Sequence, residues 1–395
     1  MSSPTSKTTH TLSSAVQRES EYRLRSTPVT DSVPQSILLV EPYGSGSHLA
    51  WAEGFERSSS HDVQLLTLPG RFWKWRMFGG TLTLAQQAVE LASKVGPPDL
   101  VLASDMLDLP SFLGHAGNAL GSPKTVLYMH ENQLTYPLSP TARDDLAYAY
   151  MNWSSMVRAD EVWFNSQFHL ESVFEALPKF LKHFPDHRHV RLLDAVAAKS
   201  KVVPVGVDLE WIEGTEKSEP PLIIWNQRWE YDKDPVRLFQ ALHRLAEGDI
   251  DFRLAICGEN FRNVPIEFEE SRNRLEPQII QYGYAERAEY EHLLLDASVV
   301  VSTAKHEFFG IGAVEAMAAG AVPVFPNDLS YPALIPTEIH NLTLYDSDEE
   351  LDRLLSAALI DRTRNDEIRS YVEPAMQRFS WEVMTPVYDA KLRQT

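Results

Sequence analysis

The sequence predicts an α/β protein built from two Rossmann-like domains that face one another across a cleft. Three observations predict it. Short apolar runs alternate with helical patterns from residue 37 onward, an acidic, proline-containing segment at 206–221 interrupts them, and the alternation then restarts. Alternation of this kind places parallel strands between two layers of helices. Open sheets of that type bind ligands at the carboxyl ends of their strands, so two of them face to face put a site between them.

Residues 1–35 are rich in Ser, Thr and charged side chains without periodicity, and are expected to be a disordered extension. The runs 37–40, 63–66, 100–103, 125–128, 161–164 and 201–204 read as buried strands of an N-terminal domain over 36–205. A second domain over 206–378 takes its strands from 222–225, 253–256, 279–282, 299–302 and 322–325. The stretch 379–395 reads as a helix beginning at Ser380.

Composition narrows the function classes. A chain of 395 residues fits two or three domains at about 150 residues each, and 44% hydrophobic content excludes general disorder. No apolar run is long enough for a membrane span or a secretory leader, so no membrane partner is expected. Cys257 is the single cysteine, which excludes a disulfide framework and a multi-cysteine zinc site and fits a reducing, cytoplasmic setting. The net charge of −19 repels polyanions at long range, so a nucleic-acid partner has to meet a local basic patch. No protein partner is indicated.

Four loops carry polar chemistry. The first strand runs into Gly44, Ser45, Gly46 and Ser47, where backbone amides at a helix start can approach an anion; a plain tight turn accounts for the glycines equally well. His130 follows the fourth strand together with Glu131, Asn132 and Gln133, either as part of a site or as a loop satisfied by local hydrogen bonds. Arg228 and Lys233 follow the first strand of the second domain, where a guanidinium fork and an ammonium suit a diphosphate; a solvated surface pair is the alternative. Glu307 and Glu315 flank a glycine-rich turn, Phe309, Gly310 and Ile311, that enters a helix. Amides for an anion between two carboxylates for hydroxyls would suit a nucleotide sugar.

At these residues the chain resembles the retaining GT-B glycosyltransferases with an E-x7-E motif, here Glu307 and Glu315, and Phe379 to Trp381 are similar to that group's C-terminal crossover, which implies a last helix crossing back. The strings YMHENQLTYP (128–137), PDHR (185–188), RWEYDKDP (228–235) and STAKHEFFG (302–310) resemble the tRNA-queuosine α-mannosyltransferase family more specifically. The first loop departs from that pattern by one added residue between Gly44 and His48.

The resemblance implies transfer of a hexose, mannose from GDP-mannose, to queuosine in a tRNA anticodon with retention of configuration. It implies no cofactor beyond the nucleotide-sugar donor and no metal. His130 and Glu307 would hold the hexose, Arg228 and Lys233 the diphosphate, Phe309, Gly310 and Ile311 the phosphates, Glu315 the ribose, and Gly283 would lie near the base. For the tRNA the residues themselves add Arg71, Trp73, Lys74, Trp75 and Arg76, a run suited to phosphate contact and base stacking, with Lys182 and Arg188 further along; a partly buried surface element is the rival reading of both. A glycosyltransferase acting on a lipid, glycan or small molecule would keep every donor residue. A catalytically silent nucleotide- or RNA-binding protein is the third reading.

Overall fold

Strands that are apolar on both faces need cover on both sides, and the computed structural model gives them that cover in two six-stranded parallel sheets. It describes residues 33–137, 146–214, 217–258 and 265–395. The expected N-terminal extension lies outside the described residues except for its last three.

The first sheet contains β1 (Ser36–Gly44), β2 (Asp62–Pro69), β3 (Leu100–Ser104), β4 (Lys124–Met129), β5 (Glu161–Phe164) and β6 (Ser200–Val202), in the order β2-β1-β3-β4-β5-β6. The second contains β7 (Leu222–Asn226), β8 (Arg253–Cys257), β9 (Ile279–Gly283), β10 (Ala297–Val301), β11 (Val322–Pro326) and β12 (Leu344–Tyr345), in the order β12-β11-β10-β7-β8-β9. Renumbered within its own half, the second order is the 3-2-1-4-5-6 of dinucleotide-binding sheets read from the other edge. Each sheet therefore has a point where the strand order reverses: β1 beside β3 in the first, β7 beside β10 in the second.

All eleven strands expected from the sequence are present. The added one, β12, spans two residues, too short for any period to register. The fold class read from the alternation is thus the observed one.

The last helix, Trp381–Gln394, starts at Ser380, whose side chain accepts a hydrogen bond from the Val383 amide, and returns to the first sheet's half of the chain. Tyr388 accepts from the Trp51 indole at 3.2 Å and donates to the Pro204 carbonyl at 2.9 Å. The Asp389 carboxylate accepts from the hydroxyls of Ser59 and Ser60. Gly206 lies flat against the Trp381 ring, where a methyl group would overlap the indole. Glycine is required there by close approach.

Candidate active site

The cleft between the two sheets, about 560 Å³, is lined by loops that leave the carboxyl ends of the strands. Ser45, Gly46, Ser47 and His48 follow β1, His130 and Glu131 follow β4, Arg228 and Lys233 follow β7, and residues 306–312 follow β10.

On the second sheet's side, β7 stops at Asn226 and its chain turns through a short helical turn, Tyr231–Lys233, into the helix Pro235–Ala246. That turn buries Lys233, whose ammonium donates to the His306 carbonyl at 2.7 Å and lies 3.4 Å from both Asp232 and Glu307. Arg228 stays 43% exposed, within reach of a ligand, and donates to the Tyr136 hydroxyl at 3.1 Å across the cleft. Gly310 takes φ 92° at the start of the helix Ile311–Ala318, a left-handed conformation that glycine adopts at no steric cost. The first amides of that helix consequently open onto the cleft.

Opposite this wall, ionisable groups collect where the order of the first sheet reverses. Glu41, inside β1, is fully buried; it accepts from the Tyr43 amide at 2.8 Å and holds His48 Nδ1 at 3.0 Å. His48 Nε2 is 3.7 Å from Glu131. Asp105, just past β3, accepts from the His130 amide at 2.8 Å through one oxygen, and its other oxygen is buried without a partner.

Burial alone would lower the basicity of His48, but the carboxylates of Glu41, Glu131 and Asp105 outweigh it and hold the ring's pKa well above the usual histidine value. Burial raises Asp105 to about 7. Burial and the charge on His48 together keep His130 neutral. Burial would raise Glu131, yet His48, Arg228 and His306 bring it down to about 2. Among the described residues, Glu41, His48 and His130 are the group whose donor atoms lie close enough, within 4.8 Å of one another, to hold a metal ion. The hydrogen bond from His48 to Glu41 already pairs two of them.

The residues expected at the site separate into three sets. Ser45, Gly46, Ser47, His130, Arg228, Lys233, Glu307, Phe309, Gly310 and Ile311 line the cleft together. Gly44, Gly283 and Glu315 do not line it. Gly44 and Gly283 each sit immediately before a lining residue, whereas Glu315 is buried and bound to Arg287 at 2.8 Å and to the Tyr290 hydroxyl at 3.3 Å. Arg71, Trp73, Lys74, Trp75, Arg76, Lys182 and Arg188 lie outside the cleft. The first five belong to a segment that begins beside the β1 loop, where the Gly70 amide donates to the Gly44 carbonyl at 3.2 Å. The Phe72, Trp73 and Trp75 rings are exposed there by 37% or more.

Tyr148 packs on Trp73 at 5.2 Å, and Tyr150, on the same helix Leu146–Arg158, packs on Phe184 at 5.3 Å. The Arg188 side chain donates to the Phe184 carbonyl. Both basic segments thus flank one helix. The sequence places Glu131 in the polar loop after β4 without marking a role for it, and gives no signal that singles out Glu41, His48 or Tyr136 as site residues.

Residues 36–207 match the family described as tRNA-queuosine alpha-mannosyltransferase N-terminal, and residues 209–373 match glycosyl transferases group 1. A tRNA-queuosine alpha-mannosyltransferase of Drosophila melanogaster is 33% identical over 331 residues, 81% of this chain and 85% of the relative. A GDP-mannose:cellobiosyl-diphosphopolyprenol alpha-mannosyltransferase of Xanthomonas oryzae is 26% identical over 137 residues, 32% of this chain and 34% of the relative. Among solved structures, Anabaena HepE in complex with UDP and glucose superposes with a TM-score of 0.65 at 16% identity, covering 91% of this chain and 100% of that one. A glycosyltransferase from Rickettsia africae superposes with a TM-score of 0.67 at 15% identity, covering 91% and 98%. The fold is GT-B, and the chain belongs to the tRNA-queuosine α-mannosyltransferase family of glycosyltransferases.

Proposed function

We infer that the protein transfers mannose from GDP-mannose to queuosine in tRNA, with retention of configuration. The observation that carries this reading is the joint placement of Arg228, Lys233, Glu307 and the open amides of the helix Ile311–Ala318 on one wall of a cleft in a chain of this family. A diphosphate placed against Arg228 and those amides meets two sources of positive potential, and Lys233 adds a third from beneath Glu307.

As the bond between sugar and phosphate breaks, charge grows on the departing oxygen. Donors already fixed in place stabilise that charge without reorganising, which lowers the barrier. Glu307 faces the sugar hydroxyls from the same wall and His130 closes on them from the other. Tyr290 lines the nucleoside end of the cleft, with Glu315 fixed behind it by Arg287. No protein nucleophile is assigned: the acceptor proton leaves with the departing diphosphate on the same face of the sugar.

GDP-mannose as donor is supported by the name of the Xanthomonas relative, and the tRNA acceptor by that of the Drosophila one. The exposed run from Arg71 to Arg76 supplies aromatic faces and cations on a chain of net charge −19, a local patch of the kind single-stranded RNA requires. A tRNA acceptor agrees with a cytoplasmic site of action. Among the described residues no helix is long and apolar enough to cross a membrane.

The test is transfer from GDP-mannose to two tRNA preparations, one from cells that make queuosine and one from cells that do not, read by nucleoside mass spectrometry. A mannosylated queuosine in the first and no product in the second is the expected result. Equal transfer to both, or labelling of a lipid or glycan in place of either, overturns it.

A further inference from the structure

Glu41 has no place in the donor chemistry described above, yet it is a charged side chain at 0% exposure in the middle of the first sheet. Removing a carboxylate from water costs several kcal/mol unless its partners are well placed. The partners here form a line. The Glu41 carboxylate, anchored by the Tyr43 amide, takes His48 Nδ1 at 3.0 Å, and His48 Nε2 faces Glu131 at 3.7 Å. This line runs from the sheet interior outward and ends at Glu131, which is half-buried and lines the cleft. Each link uses an oxygen or nitrogen that has no other described role, so the arrangement aims His48 Nε2 at the Glu131 carboxylate.

Among the described residues no hydrogen bond reaches either oxygen of Glu131, and His48 Nε2 approaches one of them as an ion pair at 3.7 Å. The wall it belongs to carries His48 and His130, while the donor residues Arg228, Lys233, Glu307 and Gly310 occupy the opposite wall. A sugar held on the donor wall therefore has Glu131 on its other side, where an attacking hydroxyl must arrive.

We propose that Glu131 is an acceptor-positioning residue, held by His48 and through it by Glu41, that accepts hydrogen bonds from the vicinal hydroxyls of the acceptor and aims one of them at the anomeric carbon. This rests on the functional reading above and names the acceptor subsite of that same cleft. A carboxylate with a free oxygen complements a diol, which offers two O–H donors, and a charged acceptor makes the stronger bonds to them. In the reaction the acceptor oxygen bonds to the anomeric carbon and the bond from that carbon to the phosphate oxygen breaks. The hydroxyl proton goes to the departing diphosphate, so Glu131 ends the cycle unchanged.

The experiment compares wild type, Glu131→Gln, Glu131→Asp and His48→Gln for transfer to queuosine-containing tRNA and for the dissociation constant of GDP-mannose, with melting temperature as the folding control. Loss of a hydrogen bond to a charged group is worth about 1.5–3 kcal/mol, so Glu131→Gln is expected to lower kcat/KM for the tRNA roughly ten- to hundred-fold. Its GDP-mannose affinity should change far less. Glu131→Asp, which keeps the charge, should recover part of the loss, and His48→Gln should produce a smaller loss of the same kind. Equal losses in donor affinity and transfer would put Glu131 in the donor site and overturn the proposal, as would transfer by Glu131→Gln at the wild-type rate. A wild-type protein that labels no queuosine overturns the functional reading itself, a result distinct from either.

Discussion

Lys233 and Glu307 approach to 3.4 Å in the wall of the cleft, with Lys233 only 7% exposed. Arg228, the other cation of the same loop, is 43% exposed and bonded chiefly to a tyrosine hydroxyl. The two therefore answer differently to substitution, although the sequence presents them as one pair.

Arg228→Ala is expected to leave folding intact and lower turnover by about 100- to 1000-fold, the usual loss for one preorganised donor to a developing anion. Lys233→Ala removes the partner of two carboxylates, one of them wholly buried. Breaking a buried pair costs about 3–5 kcal/mol, so this variant should lose melting temperature as well as turnover. Steady-state kinetics beside thermal melts of both variants check the contrast. An Arg228→Ala enzyme within a few fold of wild type removes that residue from the phosphate site.

The strand alternation was legible because parallel strands buried on both faces leave uninterrupted apolar runs. Arg228, Lys233 and the turn at Gly310 were legible because polar residues crowd directly after such runs. Glu41 was not, since a carboxylate inside a strand resembles the strand's end until the fold brings His48 round onto it. Glu315 was expected on the ribose, but its main partner is Arg287, on a different helix, and no spacing rule encodes that pairing. The segment from Arg71 to Arg76 was legible by composition alone; that it begins beside the β1 loop depends on β1 and β2 being neighbours in the sheet.

Crossover packing gives a further prediction. Gly206→Ala puts a methyl group into the Trp381 ring, so the last helix has to shift away from the first sheet. Overpacking of this kind costs about 1–3 kcal/mol. Melting temperature should fall, and Trp381→Leu in the same chain should restore part of it. No recovery in the double variant would show that the ring is not what makes a side chain costly at 206.

Turnover is expected to be unaffected by EDTA if Arg228, Lys233 and the helix start at Ile311, which line the cleft together, neutralise the diphosphate as proposed in place of a metal. Activity lost to the chelator and restored by manganese or magnesium would transfer that role to an ion, with Glu41, His48 and His130 the first residues to examine.

The Asp105 carboxyl gives stability a pH dependence of defined sign. Its pKa rises on folding from the ordinary carboxylate value to about 7, chiefly through burial. Between those two values the folded state binds more protons than the unfolded one, so stability falls as pH rises through that window and stays lower above it. Asp105→Asn keeps an oxygen for the His130 amide and cannot ionise. The variant's melting temperature relative to wild type should therefore be higher at pH 8 than at pH 5. Parallel melting curves of the two proteins would exclude Asp105 as the source.

The last prediction concerns the exposed run beside the β1 loop. Lys74 lies over the rings of Trp73 and Tyr148, at 5.4 and 5.3 Å, whereas Arg76 is tied to the Pro69 carbonyl. Arg76 therefore holds the segment's shape, and Arg71 with Lys74 is the better pair to remove. If these two meet phosphates, Arg71→Ala with Lys74→Ala should raise the KM for tRNA while leaving the affinity for GDP-mannose unchanged. The salt dependence of tRNA binding should become shallower by about 0.7 in log–log slope for each single-stranded phosphate no longer neutralised. Trp75→Ala tests stacking separately: removing one stacked base, worth about 1–3 kcal/mol, weakens tRNA binding without changing that slope. Two variants that weaken binding, only one of which changes the salt response, would distinguish phosphate neutralisation from base stacking on one surface. Wild-type affinity and slope in both would detach this run from the acceptor and leave the tRNA to another face of the protein.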